Sequence, residues 1–254
     1  MEIILENELY IKEAQEKISE IIAKSGTVVF FGGAGMSTES GIPDFRSADG
    51  LYTNPDKKYR VPPETIISHS FFTARPELFY EFYREKMIFP DAEPNPAHYK
   101  LAEMEEKGKL NAVITQNIDG LHQKAGSRRV LELHGSILRN YCQKCRKKYT
   151  LDAITGSTGI PRCSCSGIIR PDVVLYEEGL DQEIMRDAIM SIMAADTMIV
   201  AGTSLTVYPA AGLVEYFSGE NLILINRDET PLDRAATLAV HESVGKVLGN
   251  VVVS

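Results

Sequence analysis

Apolar positions along this chain alternate between two rhythms. Leu9, Ala14, Ile18, Ile21 and Ile22 fall at helical spacing and Gly26 supplies a stop, so residues 9 to 24 are predicted to form an amphipathic helix. Directly after it, Thr27-Val28-Val29-Phe30-Phe31 is continuously apolar and β-rich, as in a parallel strand covered on both faces. Similar short runs recur at 112–115, 130–133, 198–201 and 222–225, with helical periodicity between most of them. One of those helices starts at an Asn95 cap with Pro96 in the first position and ends by Gly108; another starts at Asp181 and turns Ile184, Ala188, Ile189 and Ile192 inward. Strand and helix in alternation predict an α/β chain with a Rossmann-like, doubly wound parallel sheet. The pattern breaks twice, at 46–90, rich in aromatics and prolines, and at 138–169, basic and cysteine-bearing. These two stretches are assigned to a smaller inserted domain, with 46–90 its helical part and 138–169 its zinc-ribbon part. Residues 1–45, 91–137 and 170–254 are left for the larger domain.

Composition narrows the function. A formal charge of -8 argues against a nucleic-acid surface, which needs clustered Lys and Arg, and favours a basic partner. No apolar run approaches the roughly 20 residues of a membrane span, and the first nine residues carry three acids and no basic leader, so a cytoplasmic location with no membrane partner is expected. Cys142, Cys145, Cys163 and Cys165 all lie within 24 residues, which points to one local site. Paired thiolates separated by 17 residues suit a single tetrahedral zinc ion, with all four positions filled by protein and a structural role for the metal. The second pair, Cys163-Ser164-Cys165, is one residue shorter than a usual Cys-x-x-Cys.

The strand ending at Phe31 runs into Gly32-Gly33-Ala34-Gly35-Met36-Ser37-Thr38. Glycines there let backbone amides approach a pyrophosphate, and the N-terminus of a following helix would favour its negative charge. Thr38 stands where the dinucleotide fingerprint wants a third glycine, so the loop alone is equally consistent with a tight turn. Gly41-Ile42-Pro43-Asp44-Phe45-Arg46 then adds a carboxylate, an aromatic plate and a guanidinium, which a simple turn does not need. Further on, Gln116-Asn117-Ile118-Asp119 and His134 follow neighbouring strands, so their side chains can converge on one crevice. A histidine titrates near neutrality, which makes His134 a candidate general base; a histidine taken singly more often fixes a strand-to-loop corner, and it is the motif context that favours the base.

Taken together, Gly33 to Ser47, Thr115-Gln116-Asn117-Ile118-Asp119-Gly120-Leu121-His122, Leu133-His134-Gly135-Ser136, the cysteines, Arg170-Pro171-Asp172-Val173-Val174, Gly202-Thr203-Ser204-Leu205 and Asn226 resemble the ordered signatures of the sirtuin family, in its compact bacterial form. That resemblance implies an NAD-dependent protein-lysine deacylase, most simply a deacetylase, acting on acylated-lysine proteins and yielding free lysine, nicotinamide and O-acetyl-ADP-ribose, with NAD as co-substrate. It further implies His134 as the base activating a ribose hydroxyl, with Asn117 beside it. Asp119 and the Ile118 backbone would hold the carboxamide, Ser37, Gln116 and Asn117 the ribose region, and Phe45 would shield the reactive carbon. Gly33, Ala34, Gly35, Thr38, Asp44, Arg46, Gly202, Thr203, Ser204, Asn226 and Val244 would surround the phosphates and adenosine, and Val173, Val174, Leu175 and Tyr176 would pair with the peptide. His122 is taken as structural. An NAD-binding protein with mainly an ADP-ribosyltransferase or interaction role is the alternative that shares these motifs.

Three positions depart from the family pattern. Gly32 replaces a threonine, Tyr176 a phenylalanine and Glu177 a glycine whose backbone could take a positive φ. In the helix around Phe79 to Met87, Tyr83 stands where succinyl-selective relatives carry arginine. Arg84, one residue on, is turned about 100° away. A preference for uncharged acyl groups is expected.

Overall fold

The computed structural model describes residues 2–47, 50–53 and 58–253. In chain order these form α1 (Glu2–Lys24), β1 (Val28–Gly32), α2 (Pro63–Ile66), α3 (His69–Ala74), α4 (Pro76–Lys86), α5 (Pro96–Glu106), β2 (Leu110–Thr115), α6 (Leu121–Lys124) and β3 (Val130–Glu132). There follow β4 (Gly135–Cys142), β5 (Lys148–Tyr149), α7 (Asp152–Thr155), β6 (Ile169–Val173), α8 (Gln182–Met193), β7 (Thr197–Ala201), β8 (Asn221–Ile225), β9 (Leu238–Val240) and α9 (Val244–Leu248). The first helix thus begins seven residues before the predicted start.

Six strands make one parallel sheet in the order β3-β2-β1-β7-β8-β9. Because successive residues of a strand face opposite sides, each continuously apolar run feeds two cores. Val28, Phe30, Val113, Ile199 and Ile223 meet Ile18 and Ile22 of α1, Leu101 of α5 and Val247 of α9. Val29, Phe31, Ile114, Val200 and Leu224 meet Ala188 and Ile192 of α8 on the other face. The chain leaves β1 toward β2 on one side, while β7 to β9 extend the sheet on the other, so the crossover reverses between β1 and β7. A crevice opens at the carboxyl ends of strands at such a reversal.

The second sheet is antiparallel, in the order β5-β4-β6. Phe72, Phe79, Tyr80 and Tyr83 of α3 and α4 share one core with Ile137, Ile154, Ile169 and Val173, which joins the helical and cysteine-bearing stretches into one unit. The small sheet runs across the expected boundaries at 137/138 and 169/170. Gly135 pairs with Val173 and Ser136 with Asp172, so both ends of β4 and β6 belong to the small sheet. No helix among the described residues is long and apolar enough to cross a membrane.

Candidate active site

The crevice at the β1/β7 reversal is a cavity of about 450 Å³, within the usual size of a small-molecule site. Its floor is set by backbone contact. The Gly33 amide donates to Ala201 O and the Gly35 amide to Gly202 O at 2.8 Å. A Cβ on Gly202, whose φ is +59°, would lie 2.3 Å from the Met36 nitrogen, so glycine is required there for the two loops to meet. After Gly33 the chain makes two 3₁₀ turns, Ala34–Met36 and Thr38–Ser40, rather than the helix expected from the sequence. Consecutive tight turns satisfy Met36 and Ser37 amides on Gly33 and Ala34 carbonyls. A threonine at position 32 would not fit as the strand stands, because its Cβ would lie 2.5 Å from the Phe30 ring.

Around this floor the polar side chains form one network. Ser37, buried, donates to Asp119 Oδ2 at 2.7 Å and accepts from Asn117 Nδ2 at 3.0 Å. Asp119 Oδ1 accepts from the Leu121 amide, which orients the carboxylate, while burial raises its pKa above the ordinary aspartate value. Gln116 Nε2 approaches Thr203 Oγ1 at 3.4 Å and so ties the end of β2 to the loop after β7. His134 lies 2.9 Å through Nδ1 from the Gln116 carbonyl. A carbonyl only accepts, so Nδ1 carries the proton and Nε2 keeps its lone pair, the tautomer a general base requires. Burial lowers the His134 pKa, so the ring is neutral at physiological pH.

Of the residues singled out from sequence, Ala34, Gly35, Ser37, Asp44, Phe45, Arg46, Gln116, Asn117, Ile118, Asp119, His134, Gly202, Thr203, Ser204 and Asn226 line this cavity, together with Val173 to Tyr176. Three do not. Gly33 lies behind the loop against Thr203, the Thr38 hydroxyl donates to Gly35 O, and Val244 is in the core that holds Met36. It is Glu39 that ties α9 to the loop, through the Gly245 amide and the Ser243 hydroxyl. Tyr83, which the sequence matches to a pocket arginine of succinyl-selective relatives, lines the inner apolar end of the cavity; Ile67, Met87 and Ile137 there were missed, because in the small unit aliphatic residues read only as core. Arg84 is off the cavity, its guanidinium donating to Ile154 O, Gly159 O and Ser157 Oγ.

Val174 N donates to His134 O at 3.0 Å, which places residues 173–176 directly beside the base. Glu177 does adopt the left-handed conformation, at φ +75°. Its carboxylate accepts from both the amide and the hydroxyl of Ser70, at 2.9 Å each, and these charge-assisted bonds offset the strain.

The four cysteine sulfurs lie within 4.8 Å of one another, with Cys142–Cys165 at 3.4 Å and Cys145–Cys163 at 3.6 Å. Ligands 2.3 Å from a tetrahedral zinc would sit about 3.8 Å apart, so four thiolates at this spacing fit that ion. The shortened second pair is accommodated by a turn in which Ser166 takes φ +67°, with its amide on Cys163 O.

The Sir2 family model matches residues 33–209. The chain belongs to the Sir2 family. Relatives named NAD-dependent protein deacetylase from Clostridium acetobutylicum and Clostridium perfringens are 58% and 57% identical over 238 residues, which is 93% of this chain and 97% of each relative. Among solved structures, a Sir2 with a p53 peptide and NAD+ superposes with a TM-score of 0.80 at 43% identity, covering 92% of this chain and 95% of that one. Another, bound to an acetylated peptide, gives 0.81 at 42% with the same coverage. The glycine loop from Gly33, the Gln116-Asn117-Ile118-Asp119 segment and His134, brought together at the β1/β7 reversal, all fall within the residues that the family model matches.

Proposed function

We propose that this chain is an NAD-dependent protein-lysine deacetylase located in the cytoplasm, with NAD as co-substrate and one structural zinc ion on Cys142, Cys145, Cys163 and Cys165. The observation that carries it is the His134 tautomer: Nδ1 is committed to the Gln116 carbonyl, and Nε2 is free to take a proton inside a cavity that also holds Ser37, Asn117 and Asp119. A protein that only bound NAD would have no use for a base poised in this way.

In this reading Asp119 and the Ile118 backbone hold the nicotinamide carboxamide, and Ala34, Gly35, Thr203, Ser204 and Asn226 receive the phosphates and adenosine. The acyl-lysine lies along Val173 to Tyr176, with its acyl group in the apolar end near Ile118 and Ile137. Loss of nicotinamide leaves cationic character at the ribose carbon, so Phe45 and the apolar wall serve to exclude water while the acyl oxygen forms the new bond. His134 then accepts the proton of a ribose hydroxyl, whose oxygen bonds to the acyl carbon; the carbon–nitrogen bond breaks, the lysine leaves as the amine, and one water adds to the acyl carbon left bridging the two ribose oxygens to give O-acetyl-ADP-ribose. The zinc module is remote from this proton path and holds the small unit together.

Mass spectrometry of an acetyl-lysine peptide incubated with the protein, with and without NAD, tests the assignment. Loss of 42 mass units only with NAD, matched by O-acetyl-ADP-ribose, is the expected result (roughly one acetyl group). NAD consumption with the peptide unchanged overturns it.

A further inference from the structure

Tyr176 is the last residue of the segment along which the acyl-peptide is proposed to lie, and its backbone is fixed at both ends. Its amide donates to Ile67 O at 3.1 Å, and its carbonyl accepts from the His69 amide at 3.0 Å. With the main chain held, the phenol reaches across the cavity mouth to the opposite loop. Its hydroxyl lies 3.0 Å from the hydroxyl of Tyr52 and accepts from Arg46 Nη2 at 3.4 Å. Tyr52 is in turn wedged into the segment that carries the aromatic shield. Its amide donates to Phe45 O at 2.8 Å, its ring packs against the Phe45 ring at 5.2 Å, and the Arg46 guanidinium lies 5.3 Å over its face. Burial and the bond to Tyr176 keep the Tyr52 phenol protonated, so the pair persists across the working pH range. A phenylalanine at position 176 would fill the same space and make neither polar contact.

We propose that the Tyr176 hydroxyl, through Tyr52 and Arg46, is a positioning group that locks the Phe45 shield onto the peptide-binding segment and so decides whether the acyl oxygen or water takes the ribose carbon. The proposal rests on the deacetylase reading. Two fates follow from one bond cleavage: the ribose–nitrogen bond of NAD breaks and its electron pair leaves with neutral nicotinamide. In the productive fate an acyl-oxygen lone pair forms the new carbon–oxygen bond. In the unproductive one a water oxygen forms it and releases a proton, giving ADP-ribose with the peptide still acylated. Two rings and a guanidinium clasped across the mouth leave water the longer path. The contact spans residues 124 apart in sequence, and no local motif encodes it.

The test counts nicotinamide released per lysine freed at saturating acetyl-peptide, in the parent protein and in Tyr176→Phe, Tyr52→Phe and the double variant. A parent ratio close to one is expected, with the single variants raising it and the KM for NAD increasing by roughly two- to tenfold, the range for one lost hydrogen bond. The double variant should resemble Tyr176→Phe, which already loses both polar contacts, because Tyr52→Phe removes only the contact that the two share. Free ADP-ribose, absent from parent reactions, should account for the excess nicotinamide. A ratio unchanged in Tyr176→Phe and Tyr52→Phe overturns the proposal even if turnover falls, since loss of fold or affinity slows both fates together. If the parent itself frees no lysine with NAD, it is the deacetylase assignment that fails.

Discussion

At the scale of single residues, environment assigns roles that residue type leaves open. His134 and His122 both follow family signatures, yet only His134 borders the cavity, and its tautomer is fixed by one carbonyl. Replacing His134 with Ala should leave NAD binding and thermal stability near parental values while lowering kcat/KM by about 10²-fold or more, the usual loss of a general base. The sign of its pH dependence follows from burial. A depressed pKa keeps the ring neutral at lower pH, so the acid limb of kcat/KM should lie below the 6.5 of a free histidine; a limb above it would mean another group is titrating. Glu177 offers a second test. Glu177→Ala and Glu177→Gly both lose the bonds to Ser70, but only Ala retains a Cβ at φ +75°. The Gly variant should therefore be more stable than the Ala variant by about 1 kcal/mol in urea denaturation. Equal stabilities would mean that the backbone had left the left-handed region.

Whole elements show why some of this protein was legible from its sequence and some was not. The parallel strands were readable because a strand buried on both faces is a continuous apolar run, and Val28 to Phe31 or Met198 to Ala201 has few other homes. The antiparallel strands were not. Gly135–Cys142 mixes exposed Leu138 and Arg139 with buried Ile137 and Asn140, and its pairing with β6 is set by a distant turn and the cysteines rather than by period. The glycine loop was readable as a close approach of backbones, but whether 3₁₀ or α structure followed it was beyond local propensity. In the cysteine module, all four positions should be needed. Metal analysis should give about one zinc per chain, and Cys145→Ala should release it and lower the unfolding temperature. Helix α4 carries the acyl expectation. Tyr83 lines the apolar end of the cavity, Arg84 is engaged elsewhere, and the Lys86 ammonium lies 3.2 Å from Glu85. A succinyl carboxylate would be desolvated there without a dedicated partner, at a cost of several kcal/mol. With acetylated and succinylated versions of one peptide in competition, the acetyl form should be consumed at least tenfold faster. The reverse order would show a cation turning into the pocket, and Lys86→Met would identify it.

Over the whole molecule, the glycine loop is coupled to the core through a pair of buried histidines. His98 of α5 and His122 of α6 pack with ring centroids 4.8 Å apart and planes tilted by 58°, with His122 also against Phe30 of β1, and both are almost fully excluded from solvent. His98 Nδ1 accepts from the Asn95 amide, and Asn95 Nδ2 donates to Met36 O and Ser40 Oγ, so the ring supports the same turn that carries Ser37. Burial pushes the His98 pKa down to about 4, and burial with the neighbouring ring pushes His122 well below its ordinary value. Between these values and 6.5 the unfolded chain binds more protons than the folded one, so stability must fall as pH falls through that window and change little above it. For His98 alone the loss by pH 5 is about 2 kcal/mol. Thiolate protonation at the cysteine module acts in the same direction, so the measurement is a difference. Denaturant midpoints at pH 7.5 and pH 5 should be compared for the parent and for His122→Phe, which replaces one titrating ring with an apolar one of similar shape. The variant should lose visibly less stability on acidification than the parent. If both lose the same amount, His122 takes up a proton in the folded protein as readily as in the unfolded chain, and the acid sensitivity belongs to other groups such as the cysteines.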